Sequence, residues 1–330
     1  MKRNVLADRL KGYACLLVLF GHVIMGIRKA GIPMPSAFFD LETFIWSFHV
    51  ALFLFLSGFV YRITDEWRSK KTRKNFLLHK LADLGIPYVL FSVIYISINS
   101  FVAQSNTNFA LTDILWIWKT PAAQYWFLYA LFFLFCIWVI LSGSLKNWQI
   151  TVLLTAIGYL APAFDMQLGS FEIVAFSALA FGLGTCMRSL HVDSWKPTYK
   201  LLLICIHILL GYVWLRLDLF DTPLCDEFIM VIGIFSSIAL ISLLTQSKVI
   251  AKFLDFINKY SFPMYLLHTI CTAGVRILLL RMQITQWWLH ILIGCLAGMA
   301  FPILAAIISE KTILLNLCFY PSRTWKRLKK

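Results

Sequence analysis

Residues 8–29 read DRLKGYACLLVLFGHVIMGIRK. Between Lys11 and Arg28 the only side chain that readily takes a positive charge is His22. An apolar run of this length, bounded by Asp8, Arg9 and Lys11 before it and Arg28 and Lys29 after it, is a membrane-crossing helix. His22 lies eleven residues after Lys11. At about 100° per residue that is close to three full turns, so the two share a helix face about 16 Å apart. Lys11 falls at the membrane edge and His22 well inside. An ionisable side chain within a span marks a functional site, because placing it there is costly. The competing reading is a neutral histidine bonded to a neighbouring helix.

The rest of the chain repeats the apolar pattern. It has 330 residues, 60% hydrophobic and only 14% charged, whereas soluble domains are nearer 25% charged. The expected fold is all-α, a polytopic membrane bundle of about ten spans in one membrane-embedded domain over 1–330. The spans fall near 12–28, 44–62, 82–102, 124–142, 148–163, 171–187, 199–216, 227–246, 261–280 and 287–309. All must be helices, since open strand edges go unsatisfied in lipid. No small-residue cleavage site follows the first run, so it is read as a span and not as a signal peptide.

The distribution of charge sets the orientation. With both termini cytoplasmic, 24 of the 30 Lys and Arg residues fall on the inner side, as the positive-inside rule demands. The outer segments and outer span ends hold Arg28, Lys29, Lys119, Arg216, Arg276 and Arg281. The net charge of +14 therefore follows the inner face of the membrane and does not point to nucleic acid. Two basic inner segments stand out, the loop 63–81 and the tail 310–330. Within the loop, WRSKKTRKNFLLHK (67–80) is either a topological anchor or a dock for an anionic cosubstrate such as coenzyme A.

Several chemistries are excluded. Of eight cysteines, only Cys225 falls in an outer loop, so no disulfide framework is expected. No C-x-x-C, G-x-G-x-x-G, Walker A or H-E-x-x-H occurs, and no metal site is expected. Histidine chemistry remains. His49 follows the start of the second span by five residues, which places it at the depth of His22 on an antiparallel neighbour. Tyr265 and His268 are three apart, on one face of the ninth span. His207 and His290 are read as structural, and His79 and His191 as solvated.

Asp8-Arg9-Leu10-Lys11-Gly12 with Gly21-His22 resembles the opening of acyltransferase family 3, the integral-membrane O-acyltransferases. Its fucose 4-O-acetylase-like branch is the nearest in pattern. Ser47-Phe48-His49 through Leu56-Ser57-Gly58-Phe59 resembles that family's second helix. Gly85-Ile86-Pro87-Tyr88, Tyr125-Trp126-Phe127-Leu128, Phe181-Gly182-Leu183-Gly184 and Ser261 through Tyr265-Leu266-Leu267-His268 resemble later family motifs, in family order. Three departures stand out. Lys11 replaces the commoner arginine, Lys80 and Asp83 occupy the positions of an R-x-x-R pair, and Ala51 replaces a proline.

The resemblance implies transfer of an acyl group, usually acetyl, from acetyl-CoA to a sugar or glycan hydroxyl of the cell envelope or of an exported polysaccharide, at a bacterial cytoplasmic (inner) membrane. His22 is then the catalytic base or acyl carrier and His49 a proton relay or acceptor guide. Lys11, Lys80, Arg68 and Arg73 are the candidates for holding coenzyme A. Tyr265 and His268 are expected to line the acceptor cavity. Trp126 either stacks on a sugar face or anchors its helix at the interface, and Glu172 either accepts sugar hydroxyls or caps a helix dipole. Two other classes fit a many-span bundle with buried histidines: a glycolipid transporter or flippase, and a non-catalytic membrane scaffold.

Overall fold

The 8–29 stretch is the core of α1 (Val5–Lys29) in the computed structural model, which describes residues 4–64, 70–102, 109–190, 192, 194–220 and 222–328. The Asn4 side chain accepts the Ala7 N–H at 2.9 Å and so caps the helix start. The chain continues through α2 (Ala37–Trp46), α3 (His49–Thr64), α4 (Lys70–Lys80), α5 (Ile86–Phe101), α6 (Trp126–Leu141), α7 (Asn147–Ala163) and α8 (Phe171–Cys186). It then runs through α9 (Pro197–Arg216), α10 (Pro223–Leu244), α11 (Lys248–Arg281), α12 (Trp287–Ser309), α13 (Ile313–Phe319) and α14 (Pro321–Leu328). All regular structure among the described residues is helical, as expected of an integral membrane protein.

Eight helical segments among the described residues are long and apolar enough to cross a membrane. The eight leave out the expected fifth and sixth spans: α7 and α8 are helices of only 17 and 16 residues. Spanning about 30 Å takes about 20 residues at about 1.5 Å each. The second expected span is longer than its apolar core, since α2 and α3 run nearly end to end over Ala37–Thr64. The ninth is longer still. α11 has 34 residues and is about 51 Å long. Lys252, Asp255 and Lys259 break its apolar pattern without breaking the helix, and Asp255 is ion-paired at 3.2 Å to Arg9 of α1.

The basic loop at 63–81 is a helix where it is described, namely α4. It leads into a π turn, Leu81–Gly85. That turn precedes Pro87, which has no N–H to give and would crowd a regular preceding turn. The expected basic tail is also folded, into α13 and α14. The Ser322 N–H donates to Asp83 Oδ1 at 2.9 Å, so α14 is seated on the π turn, and the Phe319 and Phe91 rings, 5.5 Å apart, set α13 against α5.

Two helix pairings frame the interior. α1 and α11 run parallel along their length. Arg9 meets Asp255, the Cys15 thiol lies 3.6 Å from the Ser261 carbonyl, and His22 touches His268. α3 crosses α8 backbone to backbone. A Cβ on Gly58 would lie 2.0 Å from the Phe181 carbonyl oxygen, and one on Gly184 would lie 2.0 Å from that of Phe55. Glycine is required at both positions, because the helices approach too closely for any side chain.

Candidate active site

One face of α1 borders a cavity of about 570 Å3. Lys11, Val18, His22, Gly26 and Lys29 all line it, at the three-, four- and seven-residue steps of a helix face. From Lys11 to Lys29 is 18 residues, or about 27 Å of helix. The cavity therefore runs most of the way through the bundle, with His22 part-way along. The opposite walls come from α3, α5, the start of α6, and α11. Its size is within the roughly 300–1,000 Å3 of small-molecule sites.

Three histidines meet beside this cavity. The His22 and His268 ring centroids are 4.9 Å apart, edge to face. On the other side, Trp46 sits 5.2 Å from His22 and 5.1 Å from His49. Two of the rings have their orientation fixed by backbone. His268 Nδ1 lies 2.8 Å from the Met264 carbonyl and 2.9 Å from that of Tyr265, and His49 Nδ1 lies 2.8 Å from the Ile45 carbonyl. A carbonyl oxygen only accepts, so in each neutral ring Nδ1 carries the proton and Nε2 the lone pair. Both Nε2 atoms are buried without a hydrogen-bond partner among the described residues, and so is His22 Nδ1. Unsatisfied buried polar atoms are rare in folded proteins and mark a site.

The wall facing α11 is tied down by hydrogen bonds across the bundle. The Tyr125 hydroxyl donates to the Leu266 carbonyl at 2.8 Å, and the Tyr265 hydroxyl donates to the Gln124 carbonyl at 2.6 Å. Gln124 Nε2 donates to Thr269 Oγ1 at 2.6 Å. Directly before these anchors Ala123 adopts φ 43°, in the left-handed region that non-glycine residues seldom enter. The three cross-links hold this strained turn. Trp126 follows directly and forms part of the cavity wall.

The residues singled out from sequence therefore divide. Lys11, His22, Trp126 and Tyr265 line the cavity, and His268 and His49 stand behind His22. Glu172 does not reach it. It is exposed at the start of α8, on the far side of α3. Lys80 is also elsewhere, with its ammonium 4.3 Å from the Phe135 ring centroid, and Arg73 lies against Gly143. Neither lines the cavity. Arg68 lies outside the described residues. His207 packs between Phe44 and Phe48, and His290 Nε2 bonds the Ile284 carbonyl at 2.9 Å; each also keeps one buried ring nitrogen without a partner among the described residues, but neither lines the cavity. His79 is exposed, as expected, and its Nδ1 lies 3.3 Å from the Ser322 hydroxyl. His191 is outside the described residues. Among the described residues no group of acidic, histidine or cysteine side chains could hold a metal ion.

Three wall residues were not anticipated as site residues. Trp46 directly precedes the quoted S-F-H motif. Gln124 directly precedes the Y-W-F-L motif. Arg276 had been counted only as an outer charge, although an arginine in an apolar run two turns beyond His268 was itself a signal.

A helical membrane protein with a histidine-lined cavity between its first and eleventh helices is the class that the fold and the site define. A family profile described as an acyltransferase domain matches residues 5–307, so the chain belongs to acyltransferase family 3 and is a membrane acyltransferase. No curated protein and no solved structure matches the chain.

Proposed function

We propose that this protein transfers an acetyl group from cytoplasmic acetyl-CoA to a hydroxyl of an envelope or exported glycan, with His22 as the base or the acyl carrier. The observation that carries this reading is the position of His22 on the wall of a cavity that reaches Lys11 at one end and Lys29 at the other. A thioester entering from the Lys11 end and a sugar entering from the Lys29 end would meet at this one imidazole. Both termini are then cytoplasmic, and the membrane is the bacterial inner membrane. Lys11 in place of arginine fits the fucose 4-O-acetylase-like branch.

The chemistry follows from the ring orientations. His268 Nε2 offers a buried lone pair beside His22. His22 Nδ1 is buried beside it and makes no hydrogen bond to it as the rings stand; a proton on His22 Nδ1 would leave the Nε2 lone pair free to act as the base. A sugar hydroxyl is a poor nucleophile until a base removes its proton. As the hydroxyl oxygen bonds to the thioester carbonyl carbon, His22 Nε2 takes the proton. The carbon–sulfur bond then breaks, and the coenzyme A thiolate leaves and recovers that proton. In the carrier variant, Nε2 attacks the thioester carbonyl carbon, the carbon–sulfur bond breaks and coenzyme A leaves as thiolate; the sugar hydroxyl then attacks the acyl-imidazolium, its proton passing to the thiolate as the carbon–nitrogen bond breaks. Lys11 would hold the coenzyme A end as a point charge, without the bidentate fork of arginine. His49 and Tyr265 keep their proposed parts as relay and cavity wall. Arg73 and Lys80 would gather coenzyme A before entry, and Arg68 of the same basic segment remains a candidate for holding it.

The test is isotopic. Membranes containing the protein and supplied with acetyl-labelled acetyl-CoA should place alkali-labile label in glycan, and membranes without it should not. Equal labelling in both would overturn the proposal. Glycan movement without labelling would favour the transporter reading.

A further inference from the structure

We propose that Arg276, with Lys29 at its rim, binds an anionic group carried by the acceptor, a sugar carboxylate or phosphate, about one sugar ring from the hydroxyl that reacts. Among the described residues, every fully charged side chain lining the cavity is cationic, with Lys11 at one end and Lys29 and Arg276 at the other, and no aspartate or glutamate lines it. Two other arginines at the outer helix ends are engaged elsewhere. Arg28 forms a two-pronged pair with Glu42 at 2.8 and 2.9 Å, and Arg216 meets Asp40 at 3.1 Å. Arg276 instead lies half-buried against α1 at Gly26, where a Cβ would stand 2.3 Å from its Nη1. A glycine at that point gives the guanidinium its seat.

The geometry sets the spacing. His22, Gly26 and Lys29 follow one another at four- and three-residue steps on one helix face. The guanidinium seat is about 6 Å along the helix from the His22 level, and Lys29 is about 10 Å along it. A hexose bound with its hydroxyl at His22 would bring a ring substituent within reach of Arg276. A planar fork in a partly dry cavity suits a carboxylate or phosphate better than a neutral hydroxyl. Asn99 and Thr269, on the same walls, supply neutral polar groups to the rest of the ring.

The word acceptor rests on the acyl-transfer reading, but the test measures binding without reaction, so the two can fail separately. The full chain in phosphatidylcholine nanodiscs is titrated with radiolabelled octyl glucuronide, octyl glucoside and octyl glucose 6-phosphate. One charged hydrogen-bonded pair should make the wild type prefer at least one of the two charged glycosides over octyl glucoside by about ten-fold or more. Arg276→Gln should bring the ratio to about one, and Arg276→Lys should leave part of it. Gly26→Ala, which displaces the guanidinium without removing it, should lower the ratio in the same direction and covers the case in which Arg276→Gln does not fold. Which charged glycoside binds tighter separates carboxylate from phosphate. Equal affinity for all three, binding of none, or a preference that survives both Arg276→Gln and Gly26→Ala overturns the proposal. So does loss of the preference when phosphatidylglycerol is added to the nanodisc, since Arg276 would then be holding a lipid headgroup.

Discussion

At the scale of single residues, the site depends on which nitrogen of each ring is protonated. Backbone carbonyls at 2.8 Å fix Nδ1–H on His268 and His49, so each leaves a bare acceptor in the interior. If the His268 ring, packed edge to face on His22, holds that ring in place, His268→Ala should cost about one aromatic contact, near 1 kcal/mol or about five-fold in kcat, with little change in the KM for acetyl-CoA. A normal kcat would place His268 outside the reaction. Lys11→Ala should do the reverse, raising the acetyl-CoA KM while kcat holds; unchanged kinetics would remove Lys11 from the donor site. The eleven-residue interval made Lys11 and His22 legible in sequence, because helix geometry alone puts them on one face. Arg276 was not legible in the same way. Its role depends on Gly26, a residue some 250 positions away, and no periodicity on its own helix reveals that.

Motifs scattered along the chain become single contacts at the scale of elements. Leu56-Ser57-Gly58-Phe59 and Phe181-Gly182-Leu183-Gly184 are two sides of one crossing, with Gly58 and Gly184 each against the other helix's carbonyl and Gly182 against Thr151 of α7. Gly184→Leu should force α3 from α8 and destabilise the fold by about 1–3 kcal/mol or more, measured as a lowered melting temperature in nanodiscs. An unaltered melting temperature would mean that the helices are not that close. The short α8 explains part of what sequence could not give. It is built from small residues such as Ala175, Ala178 and Gly182 that bury well, so its place in the interior does not depend on spanning length. Hydrophobic windows found α11 only from residue 261 onward. Its first three turns are amphipathic and are held by contacts to α1, above all Arg9–Asp255.

The whole molecule divides into helices that border the cavity and helices that support them. α1, α3, α5, α6 and α11 provide most of the wall, while α8 backs α3 and α12 backs α1 and α11. The proposed sidedness makes a direct forecast. Cysteines placed at Lys196 and Glu310 should react only with reagents on the cytoplasmic face, and one at Asp40 only with reagents outside. Asp165, between α7 and α8, decides the number of spans. Labelling from outside makes α7 and α8 true spans and the total ten; labelling from inside leaves eight. Charge asymmetry carried the orientation in sequence, but the span count needed helix lengths, which hydropathy blurs wherever a helix is short and buried.

The central claim is that His22 performs the transfer. Purified protein in nanodiscs, given labelled acetyl-CoA and glycan acceptor from its own envelope, should lose about 10²–10⁴-fold in transfer rate on His22→Ala, the usual contribution of a general base. The variant should still insert and should still show the same melting behaviour. Wild-type transfer from a well-folded His22→Ala protein would contradict the account.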